Sequence, residues 1–198
     1  PADAIYRTVD LNGDGDANDE GEASVWLDLT TLVPTSSPYD LSFIGDRGYL
    51  IDPSGSAEDS IYTFADLDGS GAIEADEFSV FATKTDTGAP IDFTAAADGE
   101  SIVVWEWLDR DEGVYSVYRL TDLDGSGSID QADETVEIWN TEYLPDVFDT
   151  FAGFSIAADG EGRIAVTSNA SDASGDNVYI LDDLNGDGDY FDVGETNV

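Results

Sequence analysis

Apolar and polar positions alternate along most of the chain, and no segment sustains the 3.6-residue period of a helix. The stretches DFTAAADGESIVVWEW (92–107) and GFSIAADGEGRIAVTS (153–168) share one pattern, and DLSFIGDRGYLID (40–52) is a shorter version of it. Each is a short apolar run, a Gly-bearing turn, and a second run in which β-branched or aromatic residues alternate, which is the signature of a hairpin. A polar loop and a further alternating segment follow and read as a third strand. A fourth strand is expected at ASVWLDL (23–29), FSVFATK (78–84) and TVEIWNT (135–141), each preceded by an acidic loop.

The acidic loops repeat. IYRTVDLNGDGDANDEGE begins at Ile5, IYTFADLDGSGAIEADE at Ile61, VYRLTDLDGSGSIDQADE at Val117 and VYILDDLNGDGDYFDVGE at Val178. Their anchors Asp10, Asp66, Asp122 and Asp183 are spaced by 56, 56 and 61 residues, and Tyr6, Tyr62, Tyr118 and Tyr179 stand four residues before them. The expectation is an all-β chain forming one repeat domain. Its four-stranded antiparallel units lie at about 1–33 (partial), 34–88, 89–144 and 145–198 (partial). Such units build either β-propeller blades or an open array of small sheets. Counting strands gives two, four, four and three, because TNV at the end reads only as the start of a fourth strand. Incomplete end units would leave strand edges open to another copy of the chain.

The loops carry the candidate chemistry. Calcium takes six to eight hard oxygen ligands, which a short loop can supply when carboxylates alternate with residues that permit tight curvature. The second loop fits the EF-hand pattern position by position: Asp66, Asp68 and Ser70, the turn at Gly71, the carbonyl of Ala72, apolar Ile73, then Glu74 and the closing Glu77. The third loop offers Asp122, Asp124, Ser126, Ser128 and Ile129. Its twelfth position is Asp133, with Glu134 beside it. In the first and fourth loops Asp10, Asn12, Asp14 and Asp16 match Asp183, Asn185, Asp187 and Asp189. The closing Glu22 and Glu195 of these loops fall one residue late, so Asp19 and Asp192 compete for the distal role. Four spaced matches favour four calcium ions over four plain acidic turns.

These loops resemble those of EF-hands and dockerins and the D-x-[DN]-G-[DS]-G segments of integrin-type FG-GAP propeller repeats. The resemblance covers about a dozen residues per repeat. Strands flank the loops here, whereas helices flank an EF-hand. The resemblance therefore implies an ion that fixes a loop between strands, within a propeller-like fold.

Composition narrows the function. The chain carries 45 Asp and Glu against six Lys and Arg, a formal charge of −39. That excludes a nucleic-acid partner and disfavours an anionic membrane surface. Four divalent ions add eight positive charges and leave −31, so calcium accounts for only part of the acidity. The remainder fits a marine or high-salt habitat. There is no Cys and no His, which removes the disulfide and the commonest general base and zinc ligand. No apolar run reaches membrane-spanning length. A chain that starts at Pro1 fits a processed, secreted or cell-surface segment. Trp26, Trp105, Trp107 and Trp139 fall in strands and read as filling between sheets.

Arg7, Arg47, Lys84, Arg110, Arg119 and Arg163 are scattered, with none of the clustering that a phosphoryl clamp needs. An enzyme is not expected. The leading reading is a calcium-binding structural repeat that associates with itself. A monomeric module holding a glycan or protein is the alternative, and a calcium-dependent phosphohydrolase the weaker one.

Overall fold

The computed structural model describes residues 3–34, 36–53, 59–84, 95–109, 114–141, 153–168 and 177–197, with backbone alone at 95, 106–109, 114, 153 and 154. The strands are β1 (Ala4–Thr8), β2 (Ala23–Asp28), β3 (Asp40–Ile44), β4 (Arg47–Asp52), β5 (Ser60–Phe64), β6 (Phe78–Thr83) and β7 (Ala95–Asp98). They continue as β8 (Ser101–Asp109), β9 (Val114–Leu120), β10 (Thr135–Asn140), β11 (Gly153–Ala158), β12 (Arg163–Ser168), β13 (Asn177–Asp182) and β14 (Thr196–Asn197). A single α-helical turn, Leu29–Leu32, follows β2, with the Asp28 side chain capping Thr30 N–H.

The chain is all-β. Strands β1 and β2 form a two-stranded antiparallel sheet, and β3–β6, β7–β10 and β11–β14 form four-stranded sheets with neighbours in chain order. The expected fourth strands start where the sequence places them, directly after each acidic loop. One expectation is corrected. The last sheet has four strands, because β14 pairs with β13 through Leu181–Thr196 and Ile180–Asn197. Glu195 N–H donates to Asp192 C=O and Asp182 N–H to Glu195 C=O, so the loop delivers the chain into pairing register at once.

Three apolar clusters occupy the spaces between successive sheets. Leu27, Leu29, Leu50, Phe64 and Ile73 join the first sheet to the second. Tyr49, Ile51, Phe81, Ile102, Leu120 and Ile129 join the second to the third. Trp105, Ile138, Trp139, Ile164, Tyr179 and Tyr190 join the third to the fourth. The first strands of the four-stranded sheets also meet, β3 beside β7 and β7 beside β11. No closed barrel or ring forms among the described residues.

The tryptophans take the packing role. Trp105 and Trp139 are buried and stacked with ring centroids 5.9 Å apart. Trp26 stacks on Phe43 at 5.9 Å and meets Phe64 edge-on at 5.4 Å. The side chain of Trp107 lies outside the described residues. Gly48 on β4 pairs with buried Phe64 on β5. A Cβ at that position would stand 2.6 Å from Phe64 Cε2 and 2.8 Å from Cε1, so the ring packs flat only over a glycine.

The third and fourth strands share one irregularity. The pairing shifts by one residue between Ile5 and Tyr6, between Ile61 and Tyr62, and between Glu137 and Trp139. In each case the fourth strand carries the extra residue: Trp26, Phe81 and Ile138. These are β-bulges, which leave one residue outside the ladder and re-aim its polar groups.

Candidate metal centres

Each acidic loop is folded by its own carboxylates. The anchor aspartate turns back into the loop and accepts from the glycine N–H groups that follow. Asp10 receives Gly13 at 2.6 Å and Gly15 at 3.0 Å, and Asp183 receives Gly186 at 2.6 Å and Gly188 at 2.9 Å. Asp122 receives Gly125, Ser126 and Gly127, and Asp66 receives Gly71. The curvature requires left-handed backbone at the fourth and sixth positions, where φ is +74° and +85° at Gly69 and Gly71 and +76° and +87° at Gly125 and Gly127.

The far end of every loop is closed by a glutamate. Glu22 Oε1 accepts from Leu11 N–H and Oε2 from Asp19 N–H, both at 2.9 Å. Glu77 accepts from Leu67, Asp68 and Glu74; Glu134 from Leu123, Asp130 and Gln131; Glu195 from Leu184 and Asp192. Glu22, Glu134 and Glu195 are buried despite their charge. The leucines whose N–H groups they receive are 60–72% exposed, so these positions serve the loop through backbone and not side chain.

The geometry resolves the distal residue of three loops. In the third, Asp133 is exposed and Glu134 takes the closing position, replacing the expected Asp133. A 3₁₀ turn over Ala132–Glu134 absorbs the additional residue. In the first and fourth loops Glu22 and Glu195 close the loop, preceded by left-handed Gly21 and Gly194. Asp19 and Asp192 instead accept from the side-chain amides of Asn12 (2.5 Å) and Asn185 (2.6 Å).

Carboxylate oxygens converge in two loops. Those of Asp66, Asp68 and Glu77 lie within 4.8 Å of one another, as do those of Asp122, Asp124 and Glu134. The first and fourth loops have an amide, Asn12 and Asn185, where the others have the middle carboxylate. The remaining expected ligands line the same turns. Ser70 Oγ donates to Ala72 C=O and Ser126 Oγ to Ser128 C=O, each at 3.0 Å. Asp14, Asp16, Asp187 and Asp189 accept from N–H groups two residues on. Oδ1 of Asp66 is buried and receives no hydrogen bond. An ionised oxygen in that state costs free energy unless a cation faces it.

Backbone donors hold five of the loop acids in their charged form. Asp19 N–H and then Leu11 N–H lower the Glu22 pKa, Glu74 N–H lowers that of Glu77, and Asp130 N–H that of Glu134. Gly15 N–H does the same for Asp10 and Ser126 N–H for Asp124. Glu74 moves upward because its hydrogen bond with Glu77 retains a proton between two like charges. A depressed carboxylate pKa contributes stability that is complete above the unfolded value and is lost as pH falls through the folded one. The melting temperature, measured without calcium in 0.5 M NaCl to screen the overall charge, should therefore be level above about pH 5 and fall below about pH 4. A melting temperature that rises on acidification through this window would contradict the assignment.

The loops are also joined to the preceding sheet. Ile73 N–H donates to Trp26 C=O at 2.8 Å, Ile129 N–H to Phe81 C=O at 2.6 Å, and Tyr190 N–H to Ile138 C=O at 2.9 Å. At the fourth loop Arg119 Nη1 donates to Gly188 C=O at 2.7 Å, while Nη2 meets Asp98 and the Tyr190 hydroxyl at 3.3 Å. The Tyr190 hydroxyl donates to Gly162 C=O at 2.7 Å, and burial raises its pKa to about 12. A cleft of about 130 Å³ at the third loop brings Arg47, Tyr49 and Phe81 against Asp122, Gly125 and Gly127.

No protein-family model and no curated protein matches the chain. Among the described residues, no helix is long and apolar enough to cross a membrane.

Proposed function

We propose that this is a calcium-binding, extracellular structural repeat protein whose four acidic loops each hold one ion and whose units associate into a larger assembly. The observation that carries the calcium reading is the second loop. There a buried Asp66 oxygen without a donor stands in a turn where the Asp66, Asp68 and Glu77 carboxylates converge within 4.8 Å. The hard oxygen donors suit calcium, and the Ser and carbonyl oxygens alongside can complete a coordination number above six. The first and fourth loops, with Asn in the middle position, are the weaker sites. Millimolar calcium outside cells would fill them.

Support for self-association comes from the first sheet. Among the described residues it consists of β1 and β2, and a cleft beside it is lined by Ile5, Pro38, Tyr39, Asp40, Leu41 and Leu50. Strand addition at an edge of this sheet would join two copies of the chain. The meeting of β3, β7 and β11 is the feature that supports a propeller-like course for the sheets.

Molar mass by light scattering tests the reading, in millimolar calcium and again after chelation. A large assembly in calcium that dissociates with chelator is the expected result. A monomer in both conditions would remove self-association and favour a monomeric calcium-ordered module, for which saturable glycan or protein binding is the next measurement.

A further inference from the structure

Among the described residues, the three bulged residues of the fourth strands coincide with the three main-chain bonds between sheets. Trp26, Phe81 and Ile138 are the residues left out of their ladders. Their carbonyls are the ones that accept from Ile73, Ile129 and Tyr190 of the following loop. Each bulge stands four residues after a closing glutamate (Glu22, Glu77, Glu134), and each donor is the eighth residue of its loop. The donors' side chains are 7%, 2% and 1% exposed and belong to the clusters that join one sheet to the next. The eighth residue therefore plugs the preceding sheet with its side chain while its N–H takes the carbonyl that the bulge has freed.

We infer that Ile73, Ile129 and Tyr190 are positioning residues that couple cation binding in a loop to docking of that loop on the preceding sheet. The inference rests on the calcium reading and adds a regulation to it. The plug sits in the middle of the loop, between the anchor aspartate and the closing glutamate. Fixing the carboxylates around an ion fixes the plug, and by reciprocity a seated plug preorganises the carboxylates. The first loop has Ala17 at this position, a methyl group with little to bury. Its ion should bind without this coupling.

Calcium titration of the full chain tests this, with the amide resonances of Gly15, Gly71, Gly127 and Gly188 reporting each loop separately. Ile129→Ala should lower calcium affinity at the third loop by about tenfold or more and leave the first loop unchanged, while Ile129→Val should restore most of the loss. In the native chain, hydrogen exchange of the Ile129 and Tyr190 amides should slow on adding calcium. That measurement stands even if I129A does not fold.

Unchanged affinity in a folded I129A, or exchange at Ile129 and Tyr190 indifferent to bound calcium, overturns the coupling alone. No calcium uptake by the native chain overturns the calcium reading and the coupling with it.

Discussion

Chelation of calcium is expected to lower the melting temperature by roughly 20–40 °C. A ligand present at a hundred times its dissociation constant stabilises the folded state by about 2.7 kcal/mol per site. Four sites on that scale supply on the order of 10 kcal/mol, and each kcal/mol shifts the transition by about 2–4 °C in a chain of this size. The effect should be larger at low ionic strength, where 45 acidic groups repel one another with little screening. Added sodium chloride should recover part of the loss and calcium all of it. Calorimetry in calcium, in chelator, and in chelator with 1 M salt separates the specific ion from general screening. Identical transitions in calcium and chelator would remove the ions from the account of stability.

The second large effect is expected from Trp139→Ala. Trp139 is buried at the junction of the third and fourth sheets, stacks on Trp105, and its Nε1 donates to Thr196 Oγ1 at 3.1 Å. Truncating a buried tryptophan costs about 3–5 kcal/mol through lost burial and the cavity left behind. The variant should therefore melt about 6–20 °C below the native chain. Trp139→Phe keeps most of the apolar volume and gives up the hydrogen bond, so its loss should be about half as large. Urea unfolding followed by fluorescence measures both. A loss below about 1 kcal/mol in W139A would mean that the two sheets close over the gap.

Much of the fold was legible because alternation, turns and acidic loops recur in fixed order. FSVFATK (78–84) was expected as a fourth strand, and Phe78–Thr83 forms one. The late positions of Glu22 and Glu195 were visible in the sequence, but the one-residue offsets inside the strands and at the end of the third loop were not. The bulges at Trp26, Phe81 and Ile138 are invisible to an alternation pattern, because the extra residue only changes which face its neighbours occupy. The twelve-residue template pointed to Asp133, whereas the turn over Ala132–Glu134 makes Glu134 the closing group. A signal for it was present. In every loop a glutamate stands directly before the fourth strand: Glu22 before Ala23, Glu77 before Phe78, Glu134 before Thr135 and Glu195 before Thr196. The strand start, and not the distance from the anchor, sets which carboxylate closes the loop.

Among the described residues the main-chain bonds between sheets all point the same way, from a later loop to an earlier strand: Ile73 to Trp26, Ile129 to Phe81, Tyr190 to Ile138. On a ribosome, the earlier strand is the one that emerges first. Each seat is therefore made before the residue that fills it and waits in water until the next loop emerges. The assembly order of the sheets follows the order of synthesis, and each junction closes only when the loop of the next repeat has been made.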